Sequence, residues 1–396
     1  MHSQDLKARI IADARAQLSF FAQSLEPNGR IAVLKADGTA REGEAQELIT
    51  TTRMVHSYVL GKIAGMPGCD AIIDAGMQAL WNNHRDTEHG GYLWSFDENG
   101  PVVTDKLAYG HMFVLLAASS AKAIGHPDAD RLLADVSEVI TQRFWDEEAG
   151  LMCDEFRRDW QTFSDYRGMN ANMHGVEALL SAFEITGERL YLERAQRILS
   201  FFVDKMAANN DWRLPEHYTS DWQVDTGYEG DPMFRPMGTT PGHSFELGRL
   251  LIQAWDLDGR QGDAPVRGRA LIETALKDAW MPGGGFAYTL DFDGNVRVGD
   301  RYWWPLTEAI GAMATLIKLD NKPEDQVWYE RLWQAGFDLF VDHERGGWIP
   351  EINDAGEAFE RQFVGKPDIY HALQADLFPL NPNLSRHYDG IKGVLA

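Results

Sequence analysis

Six segments of this chain open on His, Arg, Asn, Tyr or Trp and then run apolar and small for several helical turns. They are Arg53-Met-Val-His-Ser-Tyr-Val-Leu-Gly61, Tyr109-Gly-His-Met-Phe-Val-Leu-Leu-Ala-Ala-Ser119, Asn170-Ala-Asn-Met-His-Gly-Val-Glu-Ala-Leu-Leu180, Gly242-His-Ser-Phe-Glu-Leu-Gly-Arg-Leu-Leu251, Trp303-Trp-Pro-Leu-Thr-Glu-Ala-Ile-Gly-Ala-Met313 and Lys366-Pro-Asp-Ile-Tyr-His-Ala-Leu-Gln-Ala375. Their heads recur roughly every 55 to 70 residues, the period of a repeat architecture. Between them lie segments with one apolar stripe and charged faces. In Arg189 to Phe202 the stripe is Leu192, Ala195, Ile198, Leu199 and Phe202, and in Gln326 to Phe340 it is Trp328, Leu332, Ala335 and Leu339. A one-sided stripe marks an outer helix, whereas a helix that is apolar nearly all round must be packed on both sides.

A second series of marks falls between the heads: Gly29-Arg-Ile, Gly90-Gly-Tyr-Leu-Trp, Gly150-Leu-Met, Asp211-Trp-Arg-Leu-Pro, Gly284-Gly-Phe-Ala-Tyr and Gly346-Gly-Trp-Ile-Pro. Several precede turn-rich stretches such as Asp97-Glu-Asn-Gly and Asp291-Phe-Asp-Gly, which read as short hairpins. The stretch Tyr218 to Thr240 reads as an insertion. Six inner and six outer helices predict an all-α (α/α)6 barrel with short β-hairpins in its loops, one domain over residues 1–396. All six inner helices then run the same way, and their polar heads meet at one mouth. The alternative is an open α-solenoid with a concave binding face.

Composition narrows the partners. The 396 residues carry a formal charge of −23 with no Lys/Arg cluster, which argues against nucleic acid or an anionic membrane as a partner. Apolar residues make up 44% and aromatics 11%, enough for a large core. The two cysteines, Cys69 and Cys153, form no disulfide framework, and the N-terminus shows no basic region followed by an apolar core. These features lead us to expect a cytoplasmic protein without a membrane span, whose oligomeric state the sequence leaves open.

The chemistry lies in the heads, which hold His56, His111, His174, His243 and His371, five of the 12 histidines. His174 and Glu177 are three apart on one inner helix, and His243 and Glu246 repeat that spacing on the next. Residues three apart share a face, so the carboxylate can fix the tautomer of the imidazole and orient it as a general base. A metal site competes for the same residues, but the spacing is not HExxH and no short-range third ligand is evident. Glycoside hydrolysis would need two carboxylates flanking the bond, and the mouth is richer in His. A non-catalytic carbohydrate-binding array is the competing reading of another class, because aromatic rings at a polar mouth also suit the C–H faces of a sugar.

The stretches Thr52-Arg-Met-Val-His, Asn172-Met-His-Gly-Val-Glu-Ala, Pro241-Gly-His-Ser-Phe-Glu and Gly365-Lys-Pro-Asp-Ile-Tyr-His-Ala-Leu-Gln resemble the N-acylglucosamine 2-epimerase superfamily. They are most similar to its aldose-ketose isomerase branch, which holds D-mannose and sulfoquinovose isomerases. The resemblance implies the same barrel and a sugar isomerase that acts on a monosaccharide without cofactor or metal. It further implies that His243 and His371 are the acid/base pair, that His174 assists ring opening and that Glu246 orients His243. Arg53 would then bind a sugar oxygen, with Tyr109, Asn172, Arg235, Trp304 and Glu308 lining the pocket. The epimerase branches carry a Trp-Lys stretch before the last His, where this chain has Lys366-Pro-Asp-Ile-Tyr370. Pro367 stands where a sulfonate-binding enzyme would be expected to carry Gln, which favours mannose over sulfoquinovose.

Overall fold

The computed structural model describes residues 4–231, 234–353 and 355–396, so the insertion at Tyr218 to Thr240 is described except for residues 232–233. Thirteen α-helices are found among them, in the order α1 (Gln4–Phe21), α2 (Leu48–Ala64), α3 (Asp70–Ala79), α4 (Ala108–Ala123), α5 (Ala129–Val139), α6 (Met169–Thr186), α7 (Arg189–Leu199), α8 (Pro241–Leu257), α9 (Ala264–Ala279), α10 (Trp303–Leu319), α11 (Pro323–Ala335), α12 (Tyr370–Leu380) and the one-turn α13 (His387–Gly390). The even-numbered helices carry the six heads. Each packs on the next, α2 on α4, α4 on α6, α6 on α8, α8 on α10 and α10 on α12, and α12 returns to α2. That last contact closes the ring and excludes the open solenoid. The outer layer is α3, α5, α7, α9 and α11 on α2, α4, α6, α8 and α10 respectively, with α1 on α12.

The inner helices are buried on both sides, as their composition requires: every residue of α10 from Trp303 to Leu316 is buried. Burial of each large aliphatic side chain contributes about 1.5–3 kcal/mol, so two-sided packing holds these helices without an amphipathic stripe. Small residues set how closely the layers approach. A Cβ on Gly248 of α8 would lie 2.9 Å from the carbonyl oxygen of Gly268 on α9, and one on Gly268 would lie 2.8 Å from that of Gly248. A side chain at either position would push the two layers apart.

Several outer helices end differently from their sequence expectation. The stripes of Arg189 to Phe202 and Gln326 to Phe340 predict uninterrupted α-helix, but α7 and α11 stop at Leu199 and Ala335 and widen into π-helical turns, Ser200–Ala207 and Gly336–Phe340. The wider turn takes up an extra residue while Phe202 and Phe340 stay fully buried. In three repeats the chain then reverses at a glycine pair with positive φ, 76° and 75° at Gly90 and Gly91, 86° and 79° at Gly284 and Gly285, and 88° and 71° at Gly346 and Gly347. This left-handed region is the one glycine enters without steric cost, which accounts for these marks in the sequence.

The expected hairpins form at both stretches, Ser95–Asp97 against Gly100–Pro101 and Thr289–Leu290 against Val296–Val298. A longer-range pattern is added to them. The short strand that leads into an inner helix pairs with a strand of the following repeat: Gln46–Glu47 with Ser95–Asp97, Lys106–Leu107 with Glu155–Phe156, Arg167–Gly168 with His217–Tyr218, and Arg301–Tyr302 with Glu351–Ile352. Leu34 bridges to Lys366, so the first loop is tied to the last. The rim of the mouth is therefore laced by backbone hydrogen bonds, which fixes the level at which each inner helix begins. No helix among the described residues is long and apolar enough to cross a membrane.

Candidate active site

The heads occupy the first two turns of the inner helices, and the ring brings their side chains together. Two histidines pack against one indole: the Trp304 ring on α10 lies 5.0 Å from that of His243 on α8 and 5.8 Å from that of His371 on α12, centroid to centroid. The indole is held there by the absence of a side chain at Gly242, where a Cβ would lie 2.2 Å from Trp304 Cζ3.

Each of these histidines has a carboxylate at Nδ1. His371 donates to Glu308 Oε1 at 2.7 Å and His243 to Glu216 Oε1 at 2.9 Å, and both carboxylates are buried. With Nδ1 carrying the hydrogen, Nε2 of each ring keeps its lone pair for proton transfer. Glu308 Oε2 also accepts from Arg249 at 3.4 Å. Burial alone would raise the Glu308 pKa, but the His371 bond and the Arg249 guanidinium outweigh it and hold the carboxyl below its ordinary value.

Below this pair lies a more deeply buried group. His174 Nδ1 on α6 is 3.5 Å from Glu246 Oε1 and 3.8 Å from Glu177 Oε2. Burial drives the His174 pKa down to about 4, so the ring is neutral near pH 7. Glu246 is driven the other way, well above the ordinary carboxyl range, by burial and then by the Glu308 and Glu177 carboxylates. Like charges sharing a dry site oppose one another's ionisation, and among these carboxyls it is Glu246 whose charged form is most disfavoured. Glu177 accepts from the Tyr370 hydroxyl and, at 3.0 Å, from Gln374. Arg53 of α2 donates to Asp368 Oδ2 at 2.5 Å and to the Tyr109 hydroxyl at 2.8 Å, and its guanidinium lies over the rings of Phe113 and Tyr370 at 4.6 and 4.8 Å. The result is an aromatic-walled polar site with two buried guanidiniums, Arg53 and Arg249, two oriented imidazoles and a cluster of buried carboxyls.

The N-acylglucosamine 2-epimerase (GlcNAc 2-epimerase) family model matches residues 29–375. The chain belongs to the N-acylglucosamine 2-epimerase family. Within it, the chain is 39% identical to a D-mannose isomerase of Thermobifida fusca, over 95% of this chain and 94% of the relative. It is 38% identical to a D-mannose isomerase of Pseudomonas cannabina pv. alisalensis, over 91% and 90% of the two chains. A crystal structure of a D-mannose isomerase superposes with a TM-score of 0.90 at 29% identity, covering 96% of this chain and 99% of that one. The cellobiose 2-epimerase of Spirochaeta thermophila DSM 6192 superposes with a TM-score of 0.84 at 20% identity, a likeness of fold alone.

Eight of the ten residues anticipated from the sequence lie in this constellation: His371, His243, His174, Glu246, Arg53, Tyr109, Trp304 and Glu308. Two of the expected roles change. Glu246 does not orient His243. It faces His174 on the neighbouring helix, and Glu216, from the loop before α8, takes the place at His243. The carboxylate three residues on sits nearly a turn deeper along the same helix, while a neighbouring element offers one at the level of the ring. Asn172 does not line the pocket. It is fully buried, its Oδ1 accepts from the Met152 N–H at 2.7 Å, and its Nδ2 donates to the carbonyls of Met152 and Gly168. It pins the preceding loop to α6. The tenth residue, Arg235, stands in the insertion, stacked at 3.9 Å on the Tyr166 ring and ion-paired with Glu155.

His111 is also structural. Nδ1 donates to the Leu107 carbonyl and Nε2 accepts from the Tyr92 N–H, so both nitrogens are engaged. His56 lies deeper in the barrel, between Ser120 and Gln374. Glu216, Asp368 and Arg249 were not anticipated. Asp368 had a signal within reach, three residues before His371, whereas Glu216 lies in a loop without periodicity and Arg249 is a buried cation in the middle of a helix.

Proposed function

We propose that this chain, a sugar isomerase by its family and relatives, interconverts D-mannose and D-fructose by histidine acid/base catalysis through a cis-enediolate. The observation that carries the reading is the pair His371 and His243, each with a carboxylate at Nδ1 and both packed against the Trp304 indole. A binding array has no need to fix two tautomers.

Ring opening needs a proton delivered to the ring oxygen and one removed from the anomeric hydroxyl, and His174 is assigned to assist it. His371, aligned by Glu308, removes the C2 proton and returns it to C1. The negative charge on the enediolate oxygens is met by Arg53, a fixed cation whose position costs no reorganisation during the step. His243, aligned by Glu216, moves protons between O1 and O2. Delivery of a proton from His243 to the opposite face of C2 gives slow epimerisation, with glucose as a minor product. Trp304 lies where an aromatic face can pack on the C–H side of the sugar. No step calls on a metal ion or an organic cofactor.

The test is product analysis by chromatography after incubation with D-mannose and, in parallel, with sulfoquinovose. Fructose from mannose, with a trace of glucose, is the expected outcome. Turnover of sulfoquinovose alone would keep the chemistry and overturn the substrate, and no turnover of either would return the chain to the carbohydrate-binding reading.

A further inference from the structure

In most buried polar clusters each donor and acceptor finds a partner, because an unmet group costs about 1–3 kcal/mol. The lower group of this site departs from that. His174 Nδ1 and both carboxyl oxygens of Glu246 have no hydrogen-bond partner, although His174 is 4% and Glu246 0% exposed. They face one another across 3.5 Å, with Glu177 Oε2 3.8 Å from the same nitrogen, and the three ligand atoms lie within 4.8 Å of one another.

The His174–Glu246 separation is that of two ligands on one ion, and the Glu177 oxygen stands a few tenths of an ångström farther out. Zinc binds imidazole nitrogen and carboxylate oxygen at about 2.0–2.2 Å, so two ligands on one tetrahedral ion stand roughly 3.3–3.5 Å apart. The donor set also selects the ion. One imidazole and two carboxylates on a narrow base suit a tetrahedral borderline cation with its fourth position open, whereas calcium and magnesium need six or more oxygens, or several retained waters. A second group, Glu246, Glu308 and His371, has similar spacing, but there the imidazole Nδ1 is already bonded to Glu308 at 2.7 Å, whereas in the first group the imidazole Nδ1 and Glu246 are free and only Glu177 Oε2 is engaged, by the Tyr370 hydroxyl. The nearby guanidiniums do not stand unopposed, since Arg53 faces Asp368 at 2.5 Å and Arg249 faces Glu308 at 3.4 Å.

We propose that His174, Glu177 and Glu246 form a binding site for a divalent cation of the zinc class, and that its occupancy blocks the isomerase. An ion held there takes the lone pair of His174 and both nearby carboxyls, so that His174 can no longer assist ring opening. The blocking half rests on the isomerase reading and the binding half does not.

The experiment titrates cobalt(II) chloride into the full-length, chelator-treated protein without sugar, with cobalt as the spectroscopic stand-in for zinc. Expected is one tight equivalent per chain with the intense visible bands of a tetrahedral ion. His174→Asn and Glu246→Gln should each lose those bands while keeping the wild-type circular dichroism. His89→Asn, a surface imidazole beside Glu88, should keep them. Absence of bands in the wild type, or bands undiminished in both site variants, would overturn the site. In parallel, zinc chloride should abolish isomerisation at the same equivalence, a chelator should restore it, and magnesium chloride should do neither. Full activity at full cobalt occupancy would overturn the blocking half.

Discussion

Glu216→Gln isolates the charge that aligns His243. Glutamine is nearly isosteric, so the buried position at the mouth stays filled and only the carboxylate is lost. The bond at issue is 2.9 Å long and runs from Nδ1 of His243 to a buried carboxylate. A hydrogen bond to a charged acceptor contributes about 1.5–3 kcal/mol against about 0.5–1.5 for a neutral one, a difference of about 1–1.5 kcal/mol. If the amide oxygen keeps facing the ring, that difference becomes a fall in kcat of about 5- to 13-fold. If the amide turns its NH2 toward Nδ1, the tautomer reverses, Nε2 carries the hydrogen, and the general-base contribution of about 10²–10⁴-fold is lost. The expected result is a fall of at least about fivefold in kcat for mannose with KM nearly unchanged, because Glu216 acts through His243. Steady-state kinetics at pH 7 reads it, with Glu216→Asp as a partial rescue. A Glu216→Gln enzyme that keeps the wild-type kcat would refute the assignment of Glu216 as the positioning carboxylate.

Three further outcomes follow from the same geometry. Asn172→Ala removes three buried hydrogen bonds to backbone and should lower stability by roughly 2–4 kcal/mol, read by chemical denaturation, while the KM for mannose stays the same; a large rise in KM with unchanged stability would put Asn172 back in the pocket. Gly242→Ala places a methyl where the indole of Trp304 stands, 2.2 Å from Cζ3, and should lower kcat sharply with little loss of fold; an unaffected kcat would mean that the indole has no part in holding the two histidines. Asp13 of α1 has its pKa raised from 3.8 to about 6 by burial, against bonds from Trp348 and Gln17, so its contribution to stability is full below pH 3.8 and is lost as pH rises through 6. Asp13→Asn should therefore match the wild type near pH 4 and gain on it up to about pH 7, by at most roughly 3 kcal/mol; a stability difference that does not change with pH would contradict this.

The barrel could be read from the chain because its two layers differ in pattern. Inner helices such as α10 must be apolar all round, outer ones such as α7 need only one stripe, and six of each leave few other architectures. The polar heads were legible for the same reason, since a His or Arg that opens an otherwise apolar helix has to face something polar. What the pattern did not give was direction. Asn172 and His174 are two residues apart in one head, yet one turns toward the loop behind Met152 and the other toward the site. Nothing local distinguishes them, because the choice depends on where the neighbouring loop presents its backbone. Glu216 was hidden by sequence distance, standing 27 residues before His243 in a connection that only the closed ring brings over α8. The lacing of each repeat's leading strand to the next repeat was also beyond the sequence, because two-residue strands carry no period. The π-turns that end several outer helices escaped notice because one extra residue per turn does not disturb an apolar stripe.

The central claim is that His371 moves a proton at C2 of an aldose. It is tested most directly by proton NMR of D-mannose with the wild-type protein and with His371→Asn in heavy water. Expected for the wild type is fructose that carries deuterium, with loss of the C2 proton signal of mannose; His371→Asn should leave that proton in place even though the sugar still binds. Exchange at the wild-type rate in His371→Asn, or a wild-type protein that binds mannose and exchanges nothing, would contradict the account.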